Sequence, residues 1–298
     1  MQSENTQSKG TRPDYPALYD AANKASIDSQ NDYLLLMKFY IGLTILAAFF
    51  SLYIKESKVA GIVAATMFFI IILLTGVQAL KRFDKIWYNG RAVAESVKTI
   101  TWRFIMRAEP YRDNSNLDSV KKDFCKDLND ILEQNRVLGN YLTGESMLKD
   151  TITESMLMIR ALAFEDRLNF YISNRINEQR NWYHHKASLN KRLAKKWFYG
   201  LLTAHILTLV LILIEVSYEI YYLPTTAFIV ISGSILTWMQ IKRFQDLSSS
   251  YSLTAHEIGI LKSQNFEVID ESTLSKYVKD AENAFSREHT QWVARKDT

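Results

Sequence analysis

The sequence is poor in the residues that staple or break a fold. Of 298 residues, one is cysteine, four are proline and ten are glycine. The lone Cys125 excludes an internal disulfide and a cysteine-only zinc site. It sits among Lys122, Asp123 and Lys126 with no histidine nearby, the setting of a buried or half-exposed structural thiol rather than a nucleophile. Scarce proline and glycine argue against low-complexity disorder outside the polar opening MQSENTQSKGTR, a disordered tail that no apolar run follows closely enough to make a signal peptide. Walker loop, Rossmann glycine pattern, nucleophile elbow and zinc-protease helix are all missing. His184 and His185 point apart on a helix, with no cysteine or carboxylate cluster to complete a metal site. The expectation is a protein that is not an enzyme and needs no cofactor or metal.

Excess charge of one sign is also scarce, since 36 Lys and Arg against 32 Asp and Glu leave a formal +4. Direct nucleic-acid binding is therefore not expected. The positive charge gathers beside apolar segments, which suits a membrane surface.

What is present is concentrated apolar sequence. A mean hydropathy of -0.12 describes neither part of the chain. The apolar residues form four blocks, Phe39–Ile54, Val59–Leu80, Trp197–Tyr218 and Tyr221–Ile241, with only KESK between the first pair and SYEIY at the second turn. At about 1.5 Å per residue the first two reach roughly 24 and 33 Å, near the hydrocarbon thickness. Pro224 falls in the first turn of the fourth block, where a missing amide proton does least harm. The segments Lys81 to Arg91, Lys186 to Lys196 and Lys242-Arg243 are rich in Lys and Arg. They assign both termini and the middle of the chain to the cytoplasm. Trp87, Tyr88, Trp182, Tyr183 and Trp197 suit the inner interface.

The chain repeats itself. QALKRFD ends the second block and MQIKRFQD the fourth, while Lys24-Ala25-Ser26 and Lys186-Ala187-Ser188 recur at nearly the same offset. A helix, hairpin, helix unit written twice explains both. The expected organisation is a tail to residue 13, a first unit 14–112, a cytoplasmic connector 113–163 and a second unit 164–298. The fold class is all-α: a polytopic helical membrane protein with two duplicated transmembrane hairpins and a cytoplasmic helical bundle.

Apolar residues at spacings of three and four mark further helices. Trp87, Gly90, Ala94, Val97, Thr101 and Phe104 form one stripe, and Phe244, Leu247, Tyr251, Ile258 and Leu261 another, so the membrane helices are expected to continue into the cytoplasm. Leu117, Val120, Phe124, Leu128, Ile131 and Leu138 form a third, and Leu274, Val278, Ala281, Phe285 and Trp292 a last one, read as bundle core or as a homo-oligomer seam.

Within the blocks, His205, Thr208 and Glu215 fall on one helical face, the third block's candidates for pore lining or for polar contacts between helices. Thr226, Gly233, Thr237 and Gln240 give the fourth block a small and polar face, and Thr44, Ala48 and Ser51 the first. Arg103, Arg107 and Arg112 are basic helix-end residues able to meet phosphates or to remain solvated charge.

The stretches PALYDAANKAS, WYNGRAVAESVKTITWRF, RLNFYISNRINEQRNWYHHKA, YSLTAHEIGIL and DAENAFSREHTQWVARK together resemble the SLATT proteins, bacterial two-transmembrane effector domains associated with SMODS nucleotidyltransferases and SLOG sensors. The resemblance covers nearly the whole chain after residue 13, as a tandem pair. It implies a pore-forming, antiviral membrane effector of the bacterial inner membrane, triggered by a nucleotide signal or a partner and ending in membrane permeabilisation and growth arrest. The implied partners are the lipid bilayer, further copies of the chain, and a nucleotidyltransferase, reverse transcriptase or SLOG-type sensor. Four such helices pack without an aqueous hole, so an ion channel has to form between copies. A non-conducting scaffold that recruits a defence enzyme and an ion-coupled transporter are the other two readings.

Overall fold

The computed structural model describes residues 13–113, 116–141, 149–220 and 223–294, with positions 137, 140 and 287–294 described by backbone alone. The first repeat folds as α1 (Ala17–Ser51), α2 (Lys58–Lys81) and α3 (Phe83–Ile105). The second folds as α7 (Glu178–Tyr218), α8 (Thr225–Lys242) and α9 (Phe244–Ser263). Between them lie α4 (Leu117–Gln134), α5 (Glu154–Arg160) and α6 (Phe164–Tyr171), and α10 (Glu271–Ala294) follows. No strand occurs among the described residues, and the fold is all-α.

Three helical stretches, Ala17–Ser51, Lys58–Ile105 and Phe164–Tyr218, are long and apolar enough to cross a membrane. The fourth expected span is shorter than its sequence block. Pro224 precedes α8 instead of lying in its first turn, and the helix holds 18 residues, about 27 Å. Ser232, Gly233, Ser234, Thr237 and Gln240 dilute its hydropathy, so by length and composition α8 is not among the three. Tyr221 and Tyr222, where the block was expected to begin, lie outside the described residues.

The recurring Lys-Arg-Phe is a joint. The expectation that the helices run on unbroken beyond the second and fourth blocks fails at both exits, whereas the entering helices α1 and α7 are unbroken. Arg82 (φ 46, ψ 45) and Arg243 (φ 46, ψ 40) are left-handed C-caps whose N–H groups donate to Gln78 O and Met239 O. Helix resumes at the phenylalanine each time. Both cap residue and acceptor are displaced by the same amount (243 − 82 = 161 and 239 − 78 = 161).

The same register extends into the helix crossings. Ser26 Oγ donates to Trp87 O at 2.9 Å, and at the equivalent positions Ser248 Oγ donates to Ala187 O at 3.1 Å. The bridge is kept while the donor has changed helix. A Cβ on Gly90 would lie 2.9 Å from Ala22 O and 3.0 Å from Ser26 N, so that crossing is closed by the absence of a side chain. Its counterparts in the second repeat, Tyr183 and Tyr251, instead pack their rings with centroids 5.6 Å apart.

The chain groups into two compact units that cut across the repeats. One comprises residues 30–83 and 186–249, the two hairpins with their flanks. Its fully buried positions are mostly small: Ala47, Ala48, Ala60, Ala64, Ala204, Thr208, Ala227 and Ser232. Close backbone approach through such residues is how helices associate where lipid removes the hydrophobic driving force.

The other unit comprises the residues up to Ser29, Asp84–His185 and those from Ser250 on. Its core includes Val97, Trp102, Phe104, Phe124, Tyr171, Leu274, Val278, Ala281 and Phe285. Arg175 lies inside this core on a π-helical turn, Ile172–Asn177, that links α6 to α7. The guanidinium meets Glu282 through two bonds, Nε to Oε1 at 2.8 Å and Nη2 to Oε2 at 2.6 Å, with both side chains at most 1% exposed. Tyr171 donates to the same carboxylate, and the Phe285 ring lies 4.6 Å from the guanidinium carbon. Burial works against the charge on Arg175, but the Glu282 carboxylate outweighs it and holds the pKa above the ordinary arginine value.

Gly90→Ala is expected to lower the melting temperature in detergent, since relieving such an overpacked contact costs about 1–3 kcal/mol. Gly233→Ala, with nothing within 4 Å of the added atom, should not lower it. Glu282→Leu leaves a buried cation without its partner and should cost about 3–5 kcal/mol. Lys24→Ala, which breaks an exposed pair with Asp28, should leave the melting temperature unchanged. Equal melting temperatures for Glu282→Leu and the native chain would remove the central role assigned to this pair.

Candidate functional site

The intramembrane polar residues are the first place to look for function, because a polar group in hydrocarbon has to be satisfied or has to face something wet. Most of the hydroxyls in the hairpin unit are satisfied by their own helices. Thr44, Thr66, Thr75, Thr203, Thr208, Ser232 and Thr237 each donate to the carbonyl four residues earlier, and Ser51 to the one three earlier. These groups need neither a neighbouring helix nor water.

Two groups in α7 behave differently. Glu215 is half-buried and accepts a 2.8 Å bond from Thr225 Oγ1, which ties the end of α7 to the start of α8. His205 is exposed and has no hydrogen-bond partner in the chain among the described residues. The expected single face therefore divides. Thr208 and Glu215 turn inward on a stripe with Ala204, and His205, one residue on from Ala204, belongs to an outward stripe with Leu202, Leu209, Ile212 and Val216. The reason is angular: positions seven apart nearly eclipse on a helix, whereas His205 and Thr208 lie about 60° apart.

The polar face of α8 is wholly outward. Thr226, Gly233, Thr237 and Gln240 are all exposed, and Thr225, Ala227 and Ser232 are buried instead. In the first span Ala48 is buried, and Thr44 and Ser51 are half-exposed.

The α10 stripe has another fate. Leu274, Val278, Ala281 and Phe285 are buried in the core of their own unit, so they are not available as an oligomer seam; the amphipathic stripe finds its partner within the chain. Trp292 stands on the helix with its side chain outside the described residues. Cys125 is exposed, on the face of α4 away from the buried Phe124, and not a buried thiol. Among the described residues no group of histidine, cysteine and carboxylate side chains is placed to hold a metal, and His184 and His185 are both exposed.

A second polar constellation lies in the other unit, and only its rim was among the expected residues. Arg107 adopts a left-handed conformation at φ 52 just after α3, with Nε bonded to Arg160 O and to Asp113, each at 3.0 Å. Arg112 bonds Ser275 Oγ at 2.8 Å and Glu109 at 2.9 Å. Arg103 turns elsewhere, to Asn283. Behind the rim are two buried arginines: Arg160, paired with Asp113 and with the carbonyls of Phe104 and Tyr111, and Arg167, whose Nη2 is shared between the two carboxylate oxygens of Glu271. Their sequence signal is weak, because Arg160 ends α5, Arg167 lies on the separate helix α6 and Arg175 on the π-helical turn after it, so no single helical face carries all three.

No curated protein and no solved structure matches the chain. Two families do. Residues 16–168 match SMODS and SLOG-associating 2TM effector domain 3, and residues 171–292 match SMODS and SLOG-associating 2TM effector domain 1. The two matches meet between the repeats and each contains one hairpin, as a tandem of two-transmembrane units requires. With paired apolar helices, a duplicated register and both halves matched, the chain belongs to the SLATT family of membrane effector domains, as a tandem pair.

Proposed function

We propose that the chain is a pore-forming effector of a bacterial anti-phage system, in which several copies in the inner membrane surround a conducting path whose opening ends in growth arrest. The observation that carries this reading is the outward polarity of the hairpin unit. His205 on α7 and Thr226 and Gln240 on α8 point away from an interior already closed by alanine, serine and threonine, and Gly233 and Thr237, whose hydroxyl is bonded to its own helix, share that α8 face. An imidazole against hydrocarbon is costly; against a second copy or a wet path it is not. Close packing inside one unit leaves the path to form between copies. The homo-oligomer contact thus moves from α10 to the hairpins.

The positive flanks at Lys81-Arg82, Lys186 to Lys196 and Lys242-Arg243 favour both termini and the helical core unit on the cytoplasmic side. The trigger then acts on the cytoplasmic helices, through a nucleotide signal or through a nucleotidyltransferase, reverse transcriptase or sensor made alongside the effector.

Reporter fusions after Thr298 and near Asp130 should both read cytoplasmic, and an external signal from either would overturn the topology. His205→Leu removes the outward polar group at similar volume. Potassium efflux and toxicity in expressing cells should fall while membrane abundance and detergent melting stay near native. Unchanged efflux at normal abundance would sink the assignment of His205 to the path, and the same assay on Gly233→Leu would then decide whether α8 lines it.

A further inference from the structure

We infer that the arginine cluster at the end of α3 is a binding site for a small, soluble, phosphate-bearing ligand. A cavity of about 310 Å³ is lined by Arg107, Arg112, Asp113, Glu271 and Ser272. That volume lies at the small end of ligand pockets. Two of its walls are guanidinium groups that are only about a third exposed, Arg107 at 29% and Arg112 at 32%. The two lining carboxylates are each held by an arginine buried behind them, Asp113 by Arg160 and Glu271 by Arg167. Two guanidinium groups from the segment after α3 thus line the space, and two more, from α5 and α6, lie behind its carboxylates.

The cluster is over-supplied with positive charge. Burial lowers the pKa of Arg160, and although Asp113 works against this, Arg107 and Arg167 push it further down by repulsion. Arg167 keeps a buried Nε without a partner even though its Nη atoms are engaged. Asp113 and Glu271 are themselves 43% and 53% exposed, so they can swing out to solvent where an anion takes their place against the buried arginines. They act as internal stand-ins for an anion. A phosphate offers more oxygens and more charge than either carboxylate and can meet arginine through two parallel bonds, which neither Asp113 with Arg160 nor Glu271 with Arg167 does. Ser272 adds a hydroxyl at the first turn of α10, whose 24-residue dipole presents its positive end there.

The chemistry that fits is a phosphate monoester or diphosphate. Lipid headgroups carry it as well as soluble molecules, but α3, 23 residues long, separates Arg107 along the chain from the Lys81-Arg82 flank, which favours the soluble source. Binding would release Asp113 and Glu271, and with them the segment after α3 and the start of α10. The site deepens the effector reading by giving its trigger a ligand class, and it rests on that reading for its biological role only.

Calorimetric titration of the full chain in nanodiscs tests it, with inorganic pyrophosphate and adenosine monophosphate as probes. At least one should bind with a sub-millimolar Kd that weakens as salt is raised. Arg112→Gln should weaken binding tenfold or more. Glu271→Gln, which removes a competing carboxylate, should tighten it severalfold, and weaker binding in this variant would overturn the role of Glu271 as a stand-in for the anion. Arg112→Lys, keeping charge without the fork, should fall between native and Arg112→Gln and serves if the glutamine variant misfolds. Absence of heat with both probes, or binding indifferent to both substitutions, would overturn the site. Affinity should be the same in phosphatidylcholine and phosphatidylglycerol discs; binding abolished by phosphatidylglycerol would make the occupant a lipid headgroup and overturn the soluble ligand. Binding without efflux in the cell assay would retain this site and sink the effector reading, and efflux without binding would do the reverse.

Discussion

A guanidinium and a carboxylate with no water around either hold the helical core unit in its fold. Removing Arg175 and Glu282 from water is expensive, and their attraction offsets that cost only if the geometry is bidentate and the remaining polar valences are filled. The first condition is met and the second nearly so, by residues from distant parts of the chain; Arg175 Nη1 is the one valence of the pair left without a hydrogen-bond partner among the described residues. Tyr171 donates to the carboxylate, Phe285 and Trp102 flank the guanidinium, and Trp102 Nε1 donates to Tyr15 OH at 2.9 Å. Tyr15 precedes α1, Trp102 lies on α3, Arg175 follows α6 and Glu282 is on α10. The network is therefore complete only when both repeats have folded, which makes the two halves one cooperative object despite their separate family matches.

Duplication leaves a register but not a set of contacts. Two caps, a serine-to-carbonyl bridge and a helix crossing are all displaced by 161 residues (243 − 82 = 161), yet the crossing is closed by Gly90 in one copy and by Tyr251 in the other. The physical requirement is that the crossing be filled, and a missing Cβ or a pair of rings both meet it. The Lys-Arg-Phe motif was legible because its backbone role tolerates little change: a left-handed residue must end one helix so that another can begin. Lys-Ala-Ser was legible but sits one residue out of that register (188 − 26 = 162), because a side-chain bridge can be rebuilt from the other helix.

Helix type and apolar face were readable from spacing alone, and so was the all-α class. What an apolar face meets was not. The stripe Leu274 to Phe285 has the same pattern whether it packs on α3 or on a second copy, because burial removes the same area in either case. The polar spans failed at a finer level. His205, Thr208 and Glu215 lie within a quarter turn, but the boundary between inside and outside runs between His205 and the others, and that boundary depends on where the small residues of neighbouring helices let α7 approach. Arg160 and Arg167 were hidden because arginine is presumed exposed until a carboxylate partner is known, and Asp113 and Glu271 lie 47 and 104 residues from them.

The connections between the two units restrict how a signal can travel. α1, α7 and α9 each run without a break through a boundary between the units, whereas α2 meets α3 and α8 meets α9 through a single left-handed arginine each. An unbroken helix carries a displacement along its axis because its hydrogen bonds deform little. A one-residue joint absorbs rotation instead, since only one pair of dihedral angles has to change. Of the two inbound helices, α7 is the one that carries His205 on its outward face and begins directly after the turn that holds Arg175. Arg175 and His205 thus lie on one uninterrupted helical stretch, Phe164–Tyr218, whereas Glu282 reaches Arg175 from α10.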